Sequence, residues 1–125
     1  MYQIKGLAKN KQFREVYARG RSVAEKLLVL YFMPNGQQFT RFGFCVGKKI
    51  GKAVYRNRVK RILREICRVN SRLIKEGLDC IIIARPRIIG ETYHGIEKSF
   101  LKLTEKAKLV RKEMTVSEDS NNSSN

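Results

Sequence analysis

Between Val59 and Ile74 apolar side chains recur at helical spacing. Val59, Ile62, Leu63, Ile66, Cys67, Val69, Leu73 and Ile74 fall on one stripe at about 100° per residue. On the same projection Asn57, Lys60, Arg61, Arg64, Arg68 and Arg72 gather on the opposite side. A helix divided in this way has to bury one face against apolar partners while the other meets water or an anion. The longer stretch from Arg41 to Arg64 holds nine Lys or Arg residues and no Asp or Glu. A tail of that charge would be disordered, but here glycines, Tyr55 and spaced aliphatics are interleaved with the cations. The segment therefore reads as folded, with its charge displayed on a surface. A merely solvated helix face mixes signs; this one does not, which points to a polyanion, most commonly a phosphate backbone.

The flanking sequence supplies partners for the aliphatic stripe. Lys9 to Arg19 reads as a short helix with Asn10 as N-cap, Gly20 as its stop, and Phe13, Val16 and Tyr17 on one face. Val23 to Met33 reads as a strand. Leu27, Val29, Tyr31 and Met33 point one way and Leu28, Leu30 and Phe32 the other, so both faces are covered. Pro34-Asn35-Gly36 marks a turn, after which Phe42, Phe44 and Val46 alternate with Gly43, Cys45 and Gly47 as a hairpin partner. Gly77 is placed to end the basic helix at C′. Asp79 to Arg85 is a buried-type strand stopped by Pro86, and strand, crossover helix, strand implies a parallel pair. A last helix is expected from about Thr92 to Lys112, with Tyr93, Ile96, Phe100, Leu103, Ala107 and Val110 on its apolar face. The whole reads as a single domain over residues 1–114, its elements in the order α-β-β-α-β-α around an α/β sheet. The Ser/Asn-rich residues 115–125 are expected to be a disordered tail.

Composition narrows the function. The chain has 125 residues, a formal net charge of +16 and a pI near 10.2, with the excess spread from Lys5 to Lys112. Cys45, Cys67 and Cys80 lie far apart and His94 is the one histidine, which suits reduced, buried thiols in a cytoplasmic protein and lacks the paired ligands of a zinc site. No apolar run is long enough to span a membrane, and the N-terminus lacks the apolar stretch of a signal peptide. There is no Gly-x-Ser-x-Gly, no useful carboxylate pair and no phosphate-cradling glycine loop, so no catalytic residue is assigned to the protein. His94, at a helix start, reads as a surface residue.

Phe13 and Tyr17 are one helical turn apart, and Tyr31 and Phe32 lie on the neighbouring strand. Aromatic faces beside a basic groove serve single-stranded nucleic acid, stacking at roughly 1–3 kcal/mol per base. The same residues would serve equally well as core, and the pattern alone supports both readings. Tyr17 and Tyr31 suit the wet edge of a cleft better than Phe42, Phe44 or Phe100, because a hydroxyl tolerates water.

The run from Gly47 to Arg61, Gly-Lys-Lys-Ile-Gly-Lys-Ala-Val-Tyr-Arg-Asn-Arg-Val-Lys-Arg, closely resembles the signature of the bacterial ribonuclease P protein subunit. The resemblance continues through Leu7 to Phe13, Gly20-Arg21-Ser22-Val23, Leu30-Tyr31 and Asp79 to Arg85, covering about residues 5 to 112. It implies an α+β fold, an α/β sandwich like the second domain of ribosomal protein S5, with a mixed sheet and a left-handed βαβ crossover at the signature helix. It also implies an accessory subunit of an endoribonuclease that binds a catalytic RNA and precursor tRNA and assists removal of the 5′ leader. On that resemblance hydrolysis belongs to the RNA and its Mg²⁺ ions, and no protein partner is required. Lys48, Lys49, Lys52, Arg56, Asn57, Arg58, Lys60, Arg61 and Arg64 match the positions that contact the RNA subunit. Phe13, Tyr17 and Tyr31 match those lining the leader cleft, Tyr17 standing where many relatives have Phe. The residues themselves leave two other classes open, a basic ribosomal or nucleoid-type protein without a processing role and a protein nuclease.

Overall fold

The computed structural model describes residues 4–7 and 9–111; the expected tail and the domain end at residue 114 lie outside them. The elements are β1 (Ile4–Gly6), α1 (Asn10–Arg19), β2 (Arg21–Ala24), β3 (Leu28–Pro34), β4 (Thr40–Cys45), α2 (Ala53–Val69), β5 (Leu78–Ala84) and α3 (Tyr93–Lys106), with single 3₁₀ turns at Lys48–Ile50, Ser71–Leu73 and Pro86–Ile88. The expected order α-β-β-α-β-α thus gains β1 and β2. All strands join one mixed sheet in the order β1-β4-β5-β3-β2.

The parallel pair was legible: β4 and β5 run parallel, joined through α2, with Phe42 opposite Cys80 and Phe44 opposite Ile82. The expected β3–β4 hairpin is not formed. β5 inserts between them and pairs antiparallel with β3 along its whole length, from Leu28–Ala84 to Pro34–Leu78. β5 is apolar on both sides, with Cys80, Ile81 and Ile82 fully buried, so the centre of the sheet is where it loses most water.

Val23 to Met33 is two strands rather than one. The chain reverses at Glu25–Leu27, where the Glu25 N–H donates to Leu28 O at 2.8 Å, and β2 returns along β3 with Ser22 opposite Tyr31. This turn holds no Gly or Pro. Arg85 and Lys106 secure it instead, donating to the backbone carbonyls of Glu25 and Ala24. Leu27 departs from its expected face and joins the large core.

The sheet separates two apolar layers. Leu28, Leu30, Phe42, Cys80, Ile82 and Ala84 face α2 and α3, where Val59, Leu63, Ile66, Cys67, Ile96, Phe100 and Leu103 complete the large core. The other face is smaller: Ile81 meets Leu7 and Val16, with Phe13, Tyr31, Met33, Cys45 and Ile83 half-buried around them. The two-faced reading of β3 therefore holds from Leu28 to Met33. α1 starts after Lys9, which stands at the N-cap in place of Asn10. Gly20 caps its end with φ −77°, so its need for glycine is spatial: a Cβ would lie 2.4 Å from Val16 O and 2.8 Å from Phe32 O.

α2 stops at Val69, well before Gly77. Asn70 caps it, its side chain donating to Ile66 O and to Glu97, and the chain turns through Ser71–Leu73. Leu73 and Ile74 keep the helical phase of the stripe although they lie beyond α2, while Val69, placed on the stripe by the sequence, is 49% exposed. Gly77, with φ +80°, serves the approach to β5, where an added Cβ would lie 3.0 Å from Gln37 O. α3 likewise ends early, at Lys106. Lys108 turns the chain with φ +59° so that Val110 can bridge Ile74. Tyr93, expected on the apolar face, is exposed.

Candidate nucleic-acid interface

A 17-residue helix such as α2 is about 25 Å long. Its inner side carries Val59, Leu63, Ile66 and Cys67 into the large core, each no more than 2% exposed. Tyr55 and Ile62 pack partly against the same core, and the polar positions are left on the outward side. Asn57, Arg58, Arg61 and Arg64 are exposed, and Lys60 and Arg56 half-buried. The turn before the helix adds exposed Lys48, Lys49 and Lys52. Arg56 is anchored, its Nε donating to Gly51 O at 3.1 Å, and Tyr55 fixes the turn from the other side by accepting from the Gly90 N–H at 3.2 Å. The first turn of α2 contains no acid, so its free N–H groups add positive potential beside the lysines.

Pairing decides whether these cations are available. Arg41, first of the acid-free stretch, is not: it forms a two-pronged 2.7 Å bridge with buried Asp79, which also accepts from Asn35. Its eight followers from Lys48 to Arg64 make no ion pair with a carboxylate among the described residues. The first acid on α2, Glu65, is occupied by Arg68 at 2.7 Å, and that contact holds its carboxyl below the usual range. Arg64 lies over the Phe44 ring, 6.0 Å from its centre. The array is thus held in place at Arg56 and Arg64 yet left electrically unsatisfied.

The aromatic residues lie on the other side of the sheet, beside α1. Tyr17 and Tyr31 meet edge to face with ring centres 5.1 Å apart, and the Tyr17 hydroxyl is hydrogen-bonded to Cys45 Sγ at 3.4 Å. Tyr17 is 42% exposed and Tyr31 half-buried, whereas Phe42 and Phe100 are core. Burial, then the Cys45 contact, pushes the Tyr17 hydroxyl well above its ordinary value, so the ring stays neutral at physiological pH. Phe13, one turn earlier on α1, sits over Gly43, where a Cβ would fall 2.5 Å from its ring. Glycine in β4 is therefore what admits the Phe13 ring.

Comparison with known proteins identifies the family. A family model described as Ribonuclease P matches residues 1–108. The chain belongs to the ribonuclease P protein family. The ribonuclease P protein component of Natranaerobius thermophilus is 46% identical over 112 residues, 90% of this chain and 97% of that protein. The structure of the Staphylococcus aureus RNase P protein superposes with a TM-score of 0.80 at 34% identity, covering 87% of this chain and all of that one. That of the Thermotoga maritima RNase P protein gives 0.76 at 30% identity over 82% and 96%.

In this member of the ribonuclease P family the signature cations share one surface, and Tyr17 and Tyr31 share a second on the opposite side of the sheet. Phe13 belongs to the α1 layer and also lines a further cleft at the edge of β4, which no local pattern announces. No described helix is long and apolar enough to cross a membrane.

The cysteines divide. Cys45 is half-buried, against the expectation of three buried thiols, while Cys67 and Cys80 are enclosed and free. Burial raises both thiols, with Cys80 adding to Cys67 and Asp79 to Cys80. A group that holds its proton more tightly folded than unfolded contributes fully below its unfolded pKa. That contribution is lost as pH climbs past roughly 8.5 and the unfolded thiols ionise. Iodoacetamide at pH 8 is expected to modify Cys45 alone in the folded protein and all three cysteines in urea. Equal labelling rates without urea would contradict the placement of α2 on β5.

Proposed function

We propose that this chain is the protein subunit of ribonuclease P, gripping the catalytic RNA with α2 and its leading turn and the 5′ leader of precursor tRNA with the α1-side aromatic surface. The observation that carries the reading is the run of eight cations from Lys48 to Arg64 without a carboxylate partner among the described residues. Arg58, Arg61 and Arg64 offer planar forks to phosphate oxygens, the lysines act as point charges, and Asn57 supplies a donor and an acceptor for a sugar or backbone group. Such contacts fix position rather than read bases, which suits recognition of a folded RNA by shape. Tyr17 and Tyr31 supply faces on which unpaired leader bases stack.

The protein adds binding, not bond breaking. Among the described residues no three His, Cys, Asp or Glu side chains converge, and the proposed interface is made of cations, so the donors that Mg²⁺ requires are not assembled there. In this reading Mg²⁺ and the hydrolysis it supports belong to the RNA.

The test is reconstitution. Purified protein added to ribonuclease P RNA at low Mg²⁺ is expected to restore leader removal, and protein alone to cleave nothing. Equal binding of any RNA or DNA with no restored cleavage would instead mark a general basic nucleic-acid-binding protein. Tyr31→Ala is expected to weaken the holoenzyme's affinity for precursor tRNA about tenfold, near the middle of the stacking range, and to leave mature tRNA unchanged. Equal losses for both would contradict the leader assignment.

A further inference from the structure

β1 pairs with β4 only from Thr40 to Phe42, so among the described residues no strand lies beside the outer edge of β4 beyond Phe42. A cleft of about 620 Å³ opens there, between that edge, Phe13 of α1 and the outer side of α2. Its size falls within the range of small-molecule sites, roughly 300–1,000 Å³. Leu7, Phe13, Phe42 and Phe44 make its floor apolar, while Lys60, Arg61, Arg64 and Arg68 stand on its rim. Glu65 is the one acid in the lining, and Arg68 neutralises it. Four cations against one carboxylate leave the mouth strongly positive.

An aromatic floor under a cationic rim fits a flat, apolar-faced group attached to a phosphate. We propose that the cleft receives one unstacked nucleotide of the RNA that α2 grips, with its base against Phe13 and Phe44 and its phosphate at Arg61 and Arg64. The Arg64 guanidinium, already lying over Phe44, offers a second plane for the base, a mode common where proteins hold single-stranded RNA. This deepens the reading of α2 as the RNA-binding surface and rests on it. The cations alone would bind any helix backbone, whereas the cleft demands a base that has left its stack.

Adenosine monophosphate and ribose 5-phosphate carry the same phosphate and differ by the base. Titrated into ¹⁵N-labelled protein, adenosine monophosphate is expected to shift the amides of Gly43, Phe44 and Arg64 saturably, with an affinity at least about tenfold above ribose 5-phosphate. Equal affinities, or shifts confined to Lys48–Lys52, would overturn the proposal. In the complex, Gly6→Trp fills the cleft without altering charge. Gly6 stands opposite Phe42 in parallel register and has open space where its Cβ would be. This variant is expected to lose about tenfold in affinity for the RNA subunit at an unchanged salt slope. If Gly6→Trp binds like the parent while Arg61→Glu does not, the nucleotide cleft is wrong and the reading of α2 stands. If Arg61→Glu also binds like the parent, the reading of α2 fails.

Discussion

Replacing Arg61 and Arg64 together by glutamate is expected to weaken binding of the RNA subunit by a hundredfold or more. Both side chains are exposed on α2, and neither has a carboxylate partner among the described residues. A hydrogen bond to a charged group contributes about 1.5–3 kcal/mol, so two lost contacts remove some 3–6 kcal/mol before any repulsion is counted. The salt dependence should become shallower by about two, since each released phosphate contact accounts for roughly 0.9 of the slope. Lys106→Glu is the control. Lys106 sits on α3 and is engaged with Glu25 and Ala24 O, so its reversal should change affinity less than threefold. Comparable losses in both proteins would mean that net charge, rather than the α2 array, does the binding.

Leu63→Ala is expected to cost about 2–5 kcal/mol, the usual range for a fully buried leucine. Leu63 has no exposed surface, sits in the large core, and is next in sequence to Arg64. Against a total stability of about 5–15 kcal/mol this is a large fraction. The urea midpoint should fall by about a third, taking the middle of both ranges, while the slope of the transition stays unchanged. RNA should restore part of the loss, because a ligand that binds only the folded state stabilises it by mass action. A midpoint within a tenth of the parent's would show that the aliphatic stripe of α2 does not face the core.

The parts of the molecule that were legible are those governed by local periodicity. The inner face of α2, the two-sided burial of β3 and the parallel β4–β5 pair all follow from which residues must leave water. What the sequence hid is longer-range. Nothing local reveals that β5 enters between β3 and β4, because hairpin partners and parted strands share the same alternation. The end of α2 was overrun because Leu73 and Ile74 stay in phase with the stripe, although Asn70 had already closed the helix against Ile66 O and Glu97. The β2–β3 reversal was missed because Arg85 and Lys106, some 60 to 80 residues away in sequence, hold it in place of a glycine.

The interface divides along the same line. Spacing put Phe13 and Tyr17 on one face of α1 and the cations on one face of α2. The loss of Arg41 to Asp79 depends on two strands meeting, and the cleft beside Phe44 on β1 ending at Gly6. Both are properties of the assembled sheet, which no local pattern encodes.

Titrating affinity for the RNA subunit against monovalent salt probes the outward face of α2 most directly. Eight cations without a carboxylate partner among the described residues, engaging six or more phosphates, predict a log–log slope of about −4 or steeper. A slope shallower than about −2 at equal affinity would mean that few of those side chains meet phosphate, and that the RNA is held by something other than the middle helix.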